Sequence, residues 1–288
     1  MLNHLKSLTG LVLVSLFTIG DLPSVFSQKV AQAQTTTSVP ANRPAANSIA
    51  RSQRSGRITV EYGETDDPIS AELMQGYQQY GLFEKVGNLI TSEINLPRDI
   101  TLHLTNCDQA NAFYRKEDHA IVICNQLTKS NYETFLANGD SKEEALKAAI
   151  FTSVFTFFHE SGHMLIHELD LTVVGKEEDI ADQFSAFFLL ANDSSEGQSV
   201  SGEIVTAAAK LFALTSTDPN NGQLQDEHAL NQQRFYNLVC MLYGANPEKY
   251  QDLVTQLKYA ESRLGSCQVE SESIMANWKR LLEPYLKA

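Results

Sequence analysis

The chain has 288 residues, of which 43% are hydrophobic and 20% are charged, and its formal net charge is −13. This length and composition allow one sizeable hydrophobic core, so we expect a folded globular protein. Because phosphate groups are bound by clustered lysine and arginine side chains, the acidic balance argues against nucleic acid as a partner.

Residues 1–33 have the features of a secretory signal peptide. Lys6 gives a positively charged start, Leu8 to Ile19 form an apolar run, and Ala31-Gln-Ala33 offers a cleavage site with small residues. The run has about twelve residues, which is too short to cross a bilayer. We therefore predict cleavage near Ala33 and a secreted or periplasmic protein without a stable membrane span. A retained membrane anchor is the alternative.

Residues 34–57 are rich in Thr, Ser, Pro, Ala and Asn and have no hydrophobic period, which indicates a disordered linker. We expect one domain from residue 58 to residue 288. In its N-terminal part, the patterns predict strands at 58–62, 100–105 and 119–124, and a helix at 70–94.

A long helix is predicted at 142–169. Ser141 is suited to be its N-cap, acidic residues occupy its first turn, and no proline interrupts it. Bulky uncharged side chains such as Phe157, Phe158 and Met164 indicate that the helix is largely buried.

This helix contains the pattern H-E-S-G-H, formed by His159, Glu160 and His163 with two residues between. Two imidazoles four residues apart on a helix are separated by about 6 Å along its axis and can bind the same metal ion. The glutamate lies beside that ion, where it can take a proton from metal-bound water. Buried imidazoles and carboxylates are costly unless they are paired, and a divalent metal pairs them at once. Two hydrogen-bonded core histidines are the alternative.

A third ligand must come from elsewhere, since catalytic zinc usually has three protein ligands. His167 lies about 12 Å along the axis from His159 and cannot share a tetrahedral ion with it. The next predicted helix, at 176–190, begins with acidic residues. Within it, Glu178 and Asp182 lie on one face. This spacing suits Glu178 as a metal ligand and Asp182 as the partner of a ligand histidine's other ring nitrogen.

The neighbours Glu177 and Asp179 are expected only to complement the N-terminal end of this helix. Further helices are predicted at about 203–214, 228–242, 247–264 and 271–286. The whole is an α+β arrangement, with a small sheet before the active-site helix and a helical lobe after it.

The pair H-E-x-x-H and E-x-x-x-D resembles the gluzincin group of zinc peptidases, the thermolysin-like enzymes. Over roughly residues 58–288 the chain is also similar to a family of secreted metallopeptidases catalogued mainly as a domain of unknown function. The blocks that carry this similarity are 107–114 with 121–124, 159–182, 233–240 with 243–244, and the late Cys267 and Trp278. The resemblance implies a zincin-like fold with one catalytic Zn²⁺.

Four cysteines in an exported chain suggest two disulfides. Three connectivities are possible. We favour Cys107–Cys124, which would join two neighbouring strands, and Cys240–Cys267, which would join a C-terminal helical pair. Metal binding by cysteine is disfavoured because no Cys-x-x-Cys spacing occurs.

The segment from Asn111 to Tyr114 looks like the Asn-Ala-aromatic edge segment of thermolysin-like enzymes. In zinc peptidases of this kind the substrate lies as an added strand along a sheet edge. This resemblance implies that Asn111 and the backbone of Ala112 hold the substrate. An ordinary hairpin beside a disulfide is the alternative.

Together these patterns predict a secreted zinc metallopeptidase, an endopeptidase more than an exopeptidase, that acts on a peptide or protein substrate. His159, His163 and Glu178 would bind Zn²⁺ and Glu160 would act as the general base. The oxyanion needs a further donor, for which His228, preceded by Asp226, and Tyr236 with Arg234 are the candidates.

The alternative function is a catalytically inactive, zinc-stabilised binding module of the cell envelope. A hydrolase for a non-peptide amide is a smaller third possibility. Catalysis is favoured because Glu160 is not a metal ligand, and a structural zinc site has no use for it.

Overall fold

The structure, a computed structural model, describes residues 55–191 and 200–287. The predicted signal peptide and residues 34–54 of the predicted linker lie outside these ranges, so both stay predictions. Within the described ranges, no helix combines the length and the apolar character that a membrane span requires.

A four-stranded sheet precedes the long helix. Its strands are β1 (Ile58–Tyr62), β2 (Ile100–Thr105), β3 (Ala112–Arg115) and β4 (Ala120–Cys124). The strand order is β1-β2-β4-β3, with β1, β2 and β4 parallel and β3 antiparallel to β4. Every residue of β4 is buried, as expected for a strand covered on both faces. The short strand β3 therefore forms one edge of the sheet.

The α-helices of the described residues follow a simple order. They are α1 (Pro68–Tyr80), α2 (Leu82–Glu93), α3 (Asn125–Ala137), α4 (Lys142–Glu168), α5 (Glu177–Leu190), α6 (Val200–Leu214), α7 (Asn221–Leu224), α8 (Asn231–Ala245), α9 (Pro247–Gln256) and α10 (Glu261–Leu282). The α+β class, with a small sheet and a helical lobe, is confirmed.

Several predicted helix bounds are wrong. The helix expected at 70–94 is two helices, because Gly81 adopts a left-handed conformation with φ of 59° and ends α1. The helix expected at 247–264 ends at Gln256, and α10 begins at Glu261, well before the expected start at residue 271. Helix α3 was not predicted at all. Three of its five buried residues, Asn125, Thr128 and Asn131, are polar, so its apolar stripe is weak.

Helix α4, which carries the H-E-S-G-H pattern, packs against α3, α5, α6, β3 and β4. It begins at the expected N-cap. Ser141 Oγ accepts a hydrogen bond from the Glu144 backbone N–H at 3.2 Å, and the Ser141 backbone N–H donates to Glu144 Oε2 at 2.9 Å. These two reciprocal hydrogen bonds fix the residue at which α4 begins. The buried packing of α4 along its length then sets the position of the histidines.

Gly162 lets α5 approach α4 closely. A Cβ at this position would lie 3.0 Å from the Cα of Ala181 and 3.3 Å from the Cβ of Phe184. A side chain here would therefore push α5, with its acidic N-terminal turn, away from the two histidines.

Both favoured disulfides are present. Cys107–Cys124 links the loop before β3 to the end of β4, and Cys240–Cys267 links α8 to α10. Two disulfides are consistent with an extracellular protein, since they persist in oxidising compartments.

We expect Gly162→Ala to lower the free energy of unfolding, because an overpacked interface costs about 1–3 kcal/mol. Denaturation by urea measures this change. The control is Gly265→Ala in α10, where an added Cβ meets nothing within 4 Å. There the alanine is expected to stabilise the helix by up to about 1 kcal/mol. A stabilising Gly162→Ala would contradict the tight contact between α4 and α5.

Candidate metal centre

The structure brings the three predicted metal ligands together. His159 Nε2 lies 3.3 Å from His163 Nε2 and 3.1 Å from Glu178 Oε2. His163 Nε2 lies 3.4 Å from Glu178 Oε1. The ligand atoms of a tetrahedral zinc ion, each about 2.0–2.2 Å from it, are roughly 3.3–3.6 Å apart. These side chains therefore fit one zinc-sized ion with little movement.

Each ligand histidine has a carboxylate at its other ring nitrogen. Asp182 Oδ1 lies 2.9 Å from His159 Nδ1, the partnership that the sequence spacing suggested. Glu177 Oε1 lies 2.8 Å from His163 Nδ1 and 2.9 Å from His167 Nε2. Such partners fix the ring orientation and the tautomer of a ligand histidine.

The expectation that Glu177 merely complements the helix end was wrong. Its carboxylate contacts His163 and His167, which both belong to α4. The residue spacing within α5 does not predict these partners, because the contacts depend on how α5 packs against α4.

Arg234 holds Asp182 in place. Its Nε and Nη2 atoms donate to the two oxygens of Asp182, both at 2.7 Å, and its Cζ lies 4.0 Å from the centroid of the Phe212 ring. A bidentate pair of hydrogen bonds between a guanidinium and a carboxylate fixes the carboxylate in one orientation. Arg234 therefore pairs with Asp182, a role that differs from the predicted one beside Tyr236, because no local spacing connects residue 234 with residue 182.

These contacts set the protonation of the centre. Burial lowers the pKa of His159, but hydrogen bonds with Asp182 and Glu178 outweigh it and raise the pKa to about 10. Burial would raise the pKa of Asp182, but the Arg234 guanidinium holds it well below its usual range. Hydrogen bonds with three imidazoles likewise outweigh burial and hold the pKa of Glu178 far below its usual range. The carboxyl groups of Asp182 and Glu178 are therefore ionised.

Carboxylates outnumber the cationic side chains at this centre. Four carboxylates surround the two histidines, those of Glu160, Glu177, Glu178 and Asp182, while the Arg234 guanidinium pairs with Asp182 and the raised pKa of His159 favours an imidazolium. Buried charges of one sign are unfavourable unless a counter-charge is near. A divalent cation bound by neutral imidazoles would offset much of this excess.

Glu160 is buried and lines the cleft beside the two histidines. Burial raises its pKa, against the opposing influence of the neighbouring imidazoles. A carboxylate with a raised pKa is a better proton acceptor than an ordinary one at neutral pH.

The cleft in front of these residues has a volume of about 510 Å³. Its lining includes the segment from Asn111 to Tyr114, so the structure brings Asn111 and Ala112 to the site. A smaller pocket of about 150 Å³ shares Asn111, His159 and Glu160 with the cleft, and Phe155 contributes to its apolar wall. The two spaces are therefore neighbours around Glu160.

His228 also lies in the cleft. Its Nε2 is 2.9 Å from Glu178 Oε2 and its Nδ1 is 3.0 Å from Asp226 Oδ1. The hydrogen bond with Glu178 is the largest cause that raises the pKa of His228. A second group of possible metal ligands includes His228. One potential ligand atom from each of Glu178, Glu227 and His228 lies within 4.8 Å of the other two.

Tyr236, the other candidate donor, is not among the residues that line the cleft. Its side chain is 41% exposed, and its ring lies 4.9 Å from the Phe235 ring and 5.6 Å from the Tyr259 ring. The structure thus brings His228 to the site and leaves Tyr236 on the surface of α8.

The fold and the site together have the features of a hydrolytic metalloprotein. The family model described as "Putative metallopeptidase" matches residues 62–282. The chain belongs to this family, which supports a peptidase that depends on a metal ion. No curated protein and no solved structure gives a significant match to the chain.

We expect Asp182→Asn to weaken zinc binding about 10–100-fold, since partners of ligand histidines contribute this much to metal affinity. Competition with a chelator of known affinity measures the change. The control is Asp179→Asn, in the first turn of the same helix, for which we expect nearly unchanged affinity. An equal loss in both variants would indicate a general charge effect and not a specific role for Asp182.

Proposed function

We propose that this protein is a secreted zinc-dependent metallopeptidase with a zincin-like fold that cleaves peptide bonds within chains. The observation that carries the proposal is the triangle of His159, His163 and Glu178 ligand atoms, 3.1–3.4 Å apart, with Glu160 beside it. The donor set of two imidazoles and one carboxylate, with a fourth position left for water or substrate, is that of catalytic zinc.

When bound, the ion acts as a Lewis acid and makes water nucleophilic near neutral pH. Glu160 accepts the proton that the attacking water loses, and then gives it to the leaving amine. Its burial favours this exchange, because a raised pKa brings the carboxylate closer to the pH at which it must both take and release a proton.

His228 donates from Nε2 to the oxyanion that develops on the scissile carbonyl, in exchange for its hydrogen bond with Glu178, while Nδ1 keeps its hydrogen bond with Asp226. The hydrogen bonds with Glu178 and Asp226 raise its pKa and favour the imidazolium, which is the better donor. Its exposed position in the cleft leaves the ring accessible to substrate.

The substrate adds to the edge strand β3. The Asn111 carbonyl accepts a hydrogen bond from the Cys124 backbone N–H at 3.0 Å, so residue 111 faces β4. Main-chain groups alternate between the two sides of a strand, and those of Ala112 therefore face the open edge. The Asn111 side chain would bind a substrate carbonyl or amide beside it.

Export rests on the predicted signal peptide, residues 1–33, and agrees with the two disulfides. Residues 34–57 would then be a linker before a catalytic domain at 58–288.

We expect Glu160→Gln to abolish cleavage, with a loss of at least about 100-fold, because the general base is removed. Zinc content should stay that of the unmodified protein, since Glu160 is not a ligand. Metal analysis and a broad peptide-library assay measure the two properties. Zinc in both proteins with cleavage in neither would support the inactive binding module and refute the peptidase.

We expect His228→Gln to lower kcat about 10²–10³-fold with little change in KM, because an oxyanion donor acts in the transition state. Tyr236→Phe, made for comparison, should change neither constant. A larger loss in Tyr236→Phe than in His228→Gln would overturn the assignment of His228.

A further inference from the structure

Glu168, the last residue of α4, is a buried carboxylate behind Tyr114, one of the residues that line the cleft. Its side chain is 4% exposed. Its Oε1 accepts a hydrogen bond from the Tyr114 hydroxyl at 2.5 Å and lies 2.6 Å from His119 Nδ1, and its Oε2 lies 3.0 Å from Arg98 Nε. A buried charge with this many partners fixes each of them in one place.

The three partners come from a strand of the sheet or from the residues just before a strand. Tyr114 lies in β3, His119 directly precedes β4, and Arg98 lies shortly before β2. Arg98 Nη1 is 2.9 Å from His119 Nε2. Because a guanidinium can only donate, His119 Nε2 must accept, and Nδ1 then carries the proton that is donated to Glu168. One carboxylate therefore joins the metal helix to the strands at the sheet edge.

His119 is the last residue of the turn between β3 and β4. Its backbone adopts φ of 55°, a left-handed conformation in which histidine is more frequent than most residues with a side chain. At this position its ring contacts both Glu168 and Arg98.

The main chain of Tyr114 faces the open edge of the sheet. The pairing of Ala112 with Ile123 and of Tyr114 with Ile121 continues from the hydrogen bond between Asn111 and Cys124. Residues 111, 113 and 115 therefore direct their main-chain groups to β4, and residues 112 and 114 direct theirs outward. Tyr114 is thus a second docking position, about 7 Å along the strand from Ala112.

The Tyr114 ring is also held from the side of the metal ligands. It stacks on His167, with ring centroids 6.1 Å apart and 13° between the planes. His167 shares the carboxylate of Glu177 with the ligand His163. The Tyr114 side chain therefore contacts α4 twice: its hydroxyl binds Glu168, and its ring packs on His167 next to the candidate metal site.

We propose that Glu168 is a positioning residue for extended peptide substrates: through the Tyr114 hydroxyl it holds the second docking position of β3 in line with the metal ligands. The proposal rests on the proposed function and deepens it, because it makes the substrate an extended segment that spans both docking positions. Peptides too short to reach Tyr114 gain nothing from this contact.

The test compares the kinetics of Tyr114→Phe with those of the unmodified enzyme on two peptides that share one scissile bond. One is a blocked dipeptide, and the other has about eight residues. At about 3.3 Å per residue, the longer peptide spans both docking positions. We expect KM for the long peptide to rise roughly three- to tenfold, which corresponds to the loss of one positioning hydrogen bond. KM for the dipeptide and kcat for both should stay nearly unchanged.

The matched control is Tyr62→Phe. Tyr62 lies in β1, at the opposite edge of the sheet, and its hydroxyl donates to Glu84 at 3.0 Å. This variant removes the same kind of hydrogen bond and should leave both KM values unchanged. A rise in KM for both peptides in Tyr114→Phe, or an equal effect in Tyr62→Phe, would show a general structural effect and overturn the proposal.

Binding of the long peptide, measured by fluorescence anisotropy in the Glu160→Gln background, separates this proposal from the proposed function. If the unmodified protein cleaves neither peptide but Tyr114→Phe still weakens binding of the long one, catalysis is refuted and the positioning role stands. If binding is unchanged by Tyr114→Phe, the positioning role is refuted whatever the cleavage assay gives. Glu168→Ala, which removes the acceptor of the Tyr114 hydroxyl, should weaken the same binding at least as much. A folded Glu168→Ala protein that binds the long peptide as well as the unmodified protein would also refute the positioning role.

Discussion

The carboxylate of Asp182 connects the parts of the molecule that form the metal site. It lies on α5, contacts His159 on α4, and receives two hydrogen bonds from Arg234 on α8. A buried carboxylate is unfavourable unless it is paired, so these three helices are stable together only in an arrangement that keeps the contacts. The helical lobe therefore does more than cover the core, because through Asp182 it fixes the orientation of His159, a candidate metal ligand.

The C-terminal end of α4 makes a comparable connection to the sheet. Glu168 binds side chains from β3 and from the segments before β2 and β4. The metal helix is thus held at its middle by the lobe and at its end by the sheet edge. The cleft lies between these two attachments, and this explains how a short, partly exposed strand can stay aligned with the histidines.

Patterns within one helix were predictable because they depend on local geometry. The capping pair of Ser141 and Glu144, and the four-residue spacing of His159 and His163, follow from helical periodicity alone. The same spacing logic led to Glu178 and Asp182. Helix α3 escaped prediction for a related reason, since its buried side chains are largely polar and hydrophobic periodicity carries little signal there.

The sequence by itself predicted the α+β class, the candidate ligands His159, His163 and Glu178 that the structure brings together, and the two favoured cysteine pairs. Only the tertiary structure decided that Glu177 forms a hydrogen bond with His163 and that Arg234 forms hydrogen bonds with Asp182. It also decided that His228 and not Tyr236 faces the cleft. These partners are separated along the chain by 14 residues for the first pair and 52 for the second, and no period links such positions. Their contacts arise from the packing of whole helices, which the close approach at Gly162 and the pairing of buried charge determine.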